Sequence, residues 1–214
     1  MEDLLKEAQE LQHKIVEWRR ILHRYPETGL VLPKTADFVT KQLTAAGIAY
    51  KTYKNHSGIT AVIGKGEGKT IAIRADMDGL PIKEETGLTY ASANENMHAC
   101  GHDAHVAITL GTARILMEAR SEWSGCVKFF FQPAEETTGG ALPMVEAGCM
   151  EHPRVDYVTG LHVMPTHETG EIEIRYGDLN ASSDEIHIKI HGKSCHGAYP
   201  DTGVECHCHG LPLS

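Results

Sequence analysis

Hydrophobic residues recur along the chain at two different periods, and the switches between them mark out its elements. Residues 3–24 carry apolar side chains at helical spacing (Leu4, Leu5, Leu11, Ile15), and the pattern stops short of Pro26. The same spacing returns over Lys34–Ala46, with Gly47 placed to end the helix. Short apolar runs follow. Ile59–Ile63 and Thr70–Arg74 read as strands, and the glycine-rich stretch Gly64–Gly68 between them reads as a hairpin-like turn. Asp103 is placed to cap a helix running through Val106, Ile108, Leu110, Ile115 and Leu116. Gly125–Phe131 makes a further strand, residues 140–147 a short helix, and Val155–Val163 another strand. This alternation predicts an α/β fold, a layered and mainly parallel sheet, with no internal repeat or low-complexity linker.

Polar residues collect just after the predicted strands, which is where open α/β sheets bind ligands. Thr70–Arg74 leads to Asp76 and Asp78, Val127–Phe131 leads across Pro133 to Glu135 and Glu136, and the strand from Val155 leads to His162. A fourth segment, His98-Ala-Cys-Gly-His-Asp103, sets Cys100 and His102 two positions apart, a spacing that lets both side chains face one metal ion. Each group also has a plainer reading. Cys100 alone is a small buried apolar residue, Glu135 and Glu136 alone an exposed acidic pair, and His162 a hydrogen-bonded core histidine. Asp76 and Asp78 fit the capping of a turn equally well. Following Phe129–Phe131 and Gln132-Pro133, however, the glutamate pair sits where a strand leaves the core, so one carboxylate can face a metal while the other faces water.

Composition narrows the setting. A chain of 214 residues with 41% hydrophobic content suits one domain, or one and a part. A net charge of −9 argues against a nucleic-acid backbone or an anionic membrane as partner. The N-terminal Met1–Arg20 is acidic and amphipathic, unlike a basic head with an apolar signal core, and no segment resembles a membrane span. A cytoplasmic protein is therefore expected, in which the six cysteines (100, 126, 149, 195, 206, 208) are free thiols or ligands. Fourteen histidines favour metal or proton chemistry.

Five blocks, in order, carry a family resemblance: Arg74-Ala-Asp-Met-Asp-Gly-Leu-Pro-Ile82, Met97-His-Ala-Cys-Gly-His-Asp-Ala-His105, Gln132-Pro-Ala-Glu-Glu136, Gly160-Leu-His-Val163 and Gly192-Lys-Ser-Cys-His-Gly-Ala-Tyr-Pro200. Together they resemble the amidohydrolase branch of the M20 metallopeptidases, from about residue 10 to Val204. The resemblance implies a zinc-peptidase-like catalytic domain over residues 1–181. Over 182–204 it implies the first strand and loop of a ferredoxin-like lid or dimerisation domain. It also implies two divalent metal ions, Zn2+ or Mn2+, with Cys100, His102, Glu136 and His162 as ligands and Glu135 as general base. Asp76 then orients a ligand without touching the metal. His196 would steady the oxyanion in the active site of a partner subunit. The implied reaction is hydrolysis of the amide of an N-acyl amino acid or similar small conjugate by metal-activated water, and full-length relatives are expected to be homodimers. Mixed Cys, His and carboxylate ligation suits zinc better than magnesium or calcium. Residues 184–191 alternate Ile186, Ile188 and Ile190 with His187, Lys189 and His191, as a half-buried strand would.

After Val204 the chain departs from that pattern and reads Glu-Cys-His-Cys-His-Gly-Leu-Pro-Leu-Ser. A shifted reading frame or a truncation is the expectation, with residues 205–214 a disordered tail and the chain marginally folded. Two function classes follow: a metal-dependent amidohydrolase, and a non-catalytic remnant that at most binds metal. A serine or cysteine hydrolase ranks below both, because Gly-x-Ser-x-Gly is absent and Cys100 is better explained as a ligand.

Overall fold

The computed structural model describes residues 2–64, 68–137, 139–178 and 186–204. They fall into two compact units, one up to Thr166 and one from His167 onward. The first unit opens with helix α1 (Glu2–His23), whose Trp18 and Leu22 are buried, and α2 (Pro33–Ala45), which begins on a proline and buries Val39 and Leu43. Helix α3 (His102–Glu118) buries Val106, Ala107, Leu110 and Ala113 and packs beside α1. The two helices approach closely because position 111 is glycine: a Cβ there would meet Ile15 Cδ1 at 2.7 Å. A short helix, α4 (Ala141–Glu146), completes the set in this unit.

Five strands form one sheet: β1 (Ala49–Thr52), β2 (Ile59–Gly64), β3 (Thr70–Asp76), β4 (Cys126–Gln132) and β5 (Tyr157–Gly160), in the order β1-β2-β4-β3-β5. The α/β class is as expected, but the sheet is mixed. β1–β2 and β2–β4 pair antiparallel, while β4–β3 and β3–β5 pair parallel. The expected hairpin between β2 and β3 does not form, since β4 lies between them. The reason is written in β4 itself. Its Val-Lys-Phe-Phe-Phe run is buried along nearly its whole length, and such a strand gains most in the middle of a sheet. β1, unpredicted, covers the outer edge of β2 and is exposed throughout.

Two cores flank the sheet. Ile59, Ala61, Ile63, Phe129 and Phe131 join the helices α1–α3 on one side. Ala72, Phe130, Met144 and Cys149 pack on the other. Lys128 is buried there too, its Nζ donating to the carbonyls of Cys149 (2.9 Å) and Glu151 (2.7 Å). Burial lowers its pKa, partly offset by nearby acidic groups.

In the second unit the strand expected over 184–191 is not formed across 186–191, and residues 184–185 lie outside the described residues. Ile186 and Ile188 are 80% and 72% exposed, so among the described residues the face that their alternation was expected to bury stays uncovered. Lys193 and Val204 make an isolated antiparallel bridge, and Pro200–Thr202 is a 3-10 turn. The tail over 205–214, with Cys206 and Cys208, lies outside the described residues. Among the described residues Cys100, Cys126, Cys149 and Cys195 form no disulfide, and no helix is long and apolar enough to cross a membrane.

Candidate metal centre

The parallel half of the sheet sets the site. Asp76 pairs with Gln132 across β3–β4, and Arg74 pairs with Gly160 across β3–β5, so three carboxyl ends reach the same rim. Asp78, Glu135, Glu136 and His162 lie just past those ends, in the crevice that open α/β sheets use for ligands. β4 stops for an identifiable reason. Pro133 cannot donate to a ladder, and Ala134 turns the chain through the left-handed region (φ 54°), an uncommon conformation for a side chain with a Cβ. The Ala134 carbonyl then accepts from the N–H groups of Gly139 and Gly140, which closes the turn that presents the two glutamates.

The fourth segment arrives at the start of α3. Gly101 (φ 93°) precedes the helix, and His102 occupies its first position. Cys100, His102 and His162 bring ligand atoms within 4.8 Å of one another, as do His102, Glu135 and Glu136. Cys100 Sγ lies 3.2 Å from His162 Nε2. His162 Nδ1 donates to the Val163 carbonyl at 2.8 Å, which turns the unprotonated Nε2 toward the cysteine. The structure thus gathers Cys100, His102, Glu135, Glu136 and His162 into one cluster beside Asp76 and Asp78. His196 lies in the second unit, in a turn where its Nδ1 accepts from the Ala198 N–H at 3.2 Å.

His102 is buried, and among the described residues neither of its nitrogens has a hydrogen-bond partner. It sits instead among carboxylates at ion-pair distance: Asp78 at 3.3 Å, Asp76 at 3.6 Å and Glu136 at 3.6 Å. Burial pulls its pKa down, but Asp78, Asp76 and Glu136 outweigh that and hold it above the ordinary histidine value. Cys100 shows the opposite side of the same field. Burial and then Glu136, Asp76 and Glu135 push its thiol up to about 12. Asp76 is held at about 2, since its contacts to His105, Arg74 and His102 overcome the burial that would raise it. Asp78 Oδ2 accepts from the Glu136 N–H at 3.0 Å and so steadies the glutamate turn.

Negative groups therefore outnumber positive ones. Four carboxylates face one guanidinium, Arg74, so an excess of negative charge remains even when His102 is protonated. A thiol, two imidazoles, one of them the buried His102, and carboxylates form the donor set a borderline divalent cation takes. On these grounds the residues present fit a metal.

A family model for "Peptidase family M20/M25/M40" matches residues 72–208, more than half of the chain. The chain belongs to that family. An N-acyl-L-amino acid amidohydrolase from Geobacillus stearothermophilus is 42% identical over 95% of this chain and 55% of that protein. A crystal structure from methicillin-resistant Staphylococcus aureus has a TM-score of 0.78 at 37% identity, over 94% of this chain and 52% of that one. The Bacillus subtilis YXEP protein, described as a dinuclear metal-binding M20 peptidase, has a TM-score of 0.69 at 38% identity, over 74% of this chain and 45% of that one. The chain spans about half the length of the curated relatives it matches.

Three features of this M20 site escaped the sequence reading. Asp103 does not cap α3. It is buried and holds Arg19 Nε and His23 Nδ1, each at 2.7 Å, while His23 Nε2 reaches Glu84 at 3.2 Å. His105 is buried between Asp76 and Val163, and its position three residues after His102 on one helix face was the available signal. His98 is also buried, with neither nitrogen partnered among the described residues, and burial lowers its pKa to about 4.

Proposed function

We propose that this site hydrolyses the amide bond of N-acyl amino acids or similar small conjugates, using divalent metal held by Cys100, His102, Glu136 and His162. The observation that carries the reading is the negative cluster beyond three parallel strand ends, built around a buried histidine whose nitrogens lie 3.3–3.6 Å from three carboxylates without a well-formed hydrogen bond to any of them. The naming of a 42% identical relative as an N-acyl-L-amino acid amidohydrolase supports the substrate class. The description of the YXEP protein as dinuclear supports two ions, and the mixed thiol, imidazole and carboxylate donors favour zinc or manganese.

Such ions would supply Lewis acidity and a water acidified toward neutral pH. The protein's own groups do the rest. Glu135 is exposed where Glu136 is only partly so, which suits it to take a proton from that water and return it to the leaving amine. Glu136 faces His102, its backbone fixed through Asp78. Cys100 would hold the metal as a thiolate, since a coordinated thiol is deprotonated. His196 donates a hydrogen bond to the oxyanion in a partner subunit's site, and residues 182–204 open the lid domain that carries it. A small N-acyl amino acid is the expected partner, and a homodimer is expected of full-length relatives.

The test is direct. Elemental analysis of the purified chain should find zinc or manganese, and the Cys100→Ala, His102→Ala double variant should bind at least about tenfold less, since even indirect supporting changes lower affinity that far. Equal metal content in the two proteins would sink the assignment. A panel of N-acetyl and N-benzoyl amino acids checks the substrate class.

A further inference from the structure

One buried histidine beside the proposed ligands has both ring nitrogens committed. His105 Nδ1 lies 2.6 Å from Asp76 Oδ1, and its Nε2 accepts the Val163 N–H at 3.0 Å. A backbone N–H can only donate, so the Val163 contact makes Nε2 the unprotonated nitrogen and Nδ1–H the donor to Asp76. No lone pair is left for a metal, although Asp76, His102 and His105 lie close enough together to hold one on distance alone. The other Asp76 oxygen is engaged by Arg74 at 2.6 Å.

Val163 is held at three points. Its N–H goes to His105, its carbonyl accepts from His162 Nδ1, and its side chain packs on Gly101, where a Cβ would meet Val163 Cγ2 at 2.5 Å. Gly101 sits between Cys100 and His102. Strand β5 ends at Gly160, before this segment begins, so the ladder does not reach Val163.

We propose that His105 is a positioning residue: the chain Asp76–His105–Val163 fixes the segment beyond β5 against the Cys100–His102 turn, and so sets the tautomer and ring orientation of His162. Asp76 acts through His105 and not as a ligand. This rests on reading His162 as a metal ligand, but its first test needs no metal. In the metal-free chain with nitrogen-labelled histidine, NMR should show His105 and His162 each as a single Nδ1–H tautomer. A tautomer mixture at His105 or at His162 would overturn the inference.

Three variants separate the contacts. In His105→Gln the amide oxygen can still accept from Val163, in His105→Asn the shorter amide reaches only Asp76, and in His105→Phe both contacts go. Zinc affinity by chelator competition should fall about 10–100-fold in the Asn and Phe variants while the Gln variant stays within about threefold of wild type. The His162 tautomer should become mixed in the same two. A purely structural histidine would lower the melting temperature in all three without separating Gln from Asn, and that result, like unchanged affinity throughout, refutes the inference. If His105→Phe does not fold, the Gln–Asn pair and the wild-type tautomers still decide. A wild-type chain that binds no zinc would refute the metal reading instead, with the tautomer shift left to judge His105.

Discussion

His102 and Asp103 are neighbours at the start of α3, both buried, and they enter clusters of opposite electrical character. Asp103 is one carboxylate facing Arg19 and His23 at hydrogen-bond distance. His102 is one imidazole among three carboxylates, all at 3.3 Å or beyond, with no hydrogen bond among the described residues. The first arrangement balances its charge within the protein, both cations meeting Asp103 Oδ2, although Asp103 Oδ1 has no partner among the described residues. The second calls for a cation from outside. A buried polar group left unmet costs roughly 1–3 kcal/mol, so a fold that leaves several around one point gives up stability for binding.

If that contrast is right, the two clusters respond oppositely to mutation. Asp103→Asn should remove about 3–5 kcal/mol of folding stability, read by denaturant titration, because it breaks a buried pair and strands His23. A loss under about 1 kcal/mol would place Asp103 with the functional cluster instead. Glu135→Gln should do the reverse. Turnover of an N-acyl amino acid falls on the order of a hundredfold or more, while metal content holds and stability moves by less than about 0.5 kcal/mol at this exposed site. Metal loss in that variant would make Glu135 a ligand.

Metal removal sharpens the comparison from the other direction. With free zinc at about 100 times its dissociation constant, chelation should cost about 2.7 kcal/mol, seen as a lower melting temperature. The Cys100→Ala, His102→Ala variant should show almost none of that drop, whereas Asp103→Asn should retain it.

The smallest effect concerns Lys128, a buried cation satisfied by two carbonyls and so of the first kind. Its folded pKa is lowered, so the unfolded chain binds more protons as pH approaches the ordinary lysine value of about 10.4, and stability should rise with pH there. In Lys128→Met that upward slope disappears. A slope unchanged in the variant would assign it to another group.

How much of this was legible in the sequence follows from the same distinction. The gathered residues Cys100, His102, Glu135, Glu136 and His162 could be named because their letters carry chemistry and stand just after predicted strands. Pairing partners could not. Nothing local to Gly64–Gly68 says that the strand Cys126–Gln132, far along the chain, will separate its two flanks; that depends on where a nearly all-buried strand packs best. Asp103 looked like a cap because capping is a local rule, and the Arg19–His23 partners that overrode it come from another helix. Lys128 broke an apolar run without announcing that two carbonyls wait for it. The β1 strand was missed because its exposed Ala-Tyr-Lys-Thr sequence has no buried face to reveal it.

That His102 and Asp103 share the first turn of one helix also has a consequence for motion. Arg19 and His23 grip that turn through Asp103, and α1 lies against α3 where Gly111 lets Ile15 in. The imidazole of His102 therefore rides on a turn clamped to another helix, and the hydrogen bonds that close that turn should open only when α1 and α3 part together. Exchange at residues 105–107, whose amides bond back into that turn, ought then to track the opening of the helix pair and quicken when Asp103 is replaced. A helix that normally frays at its end would here begin as firmly as it continues.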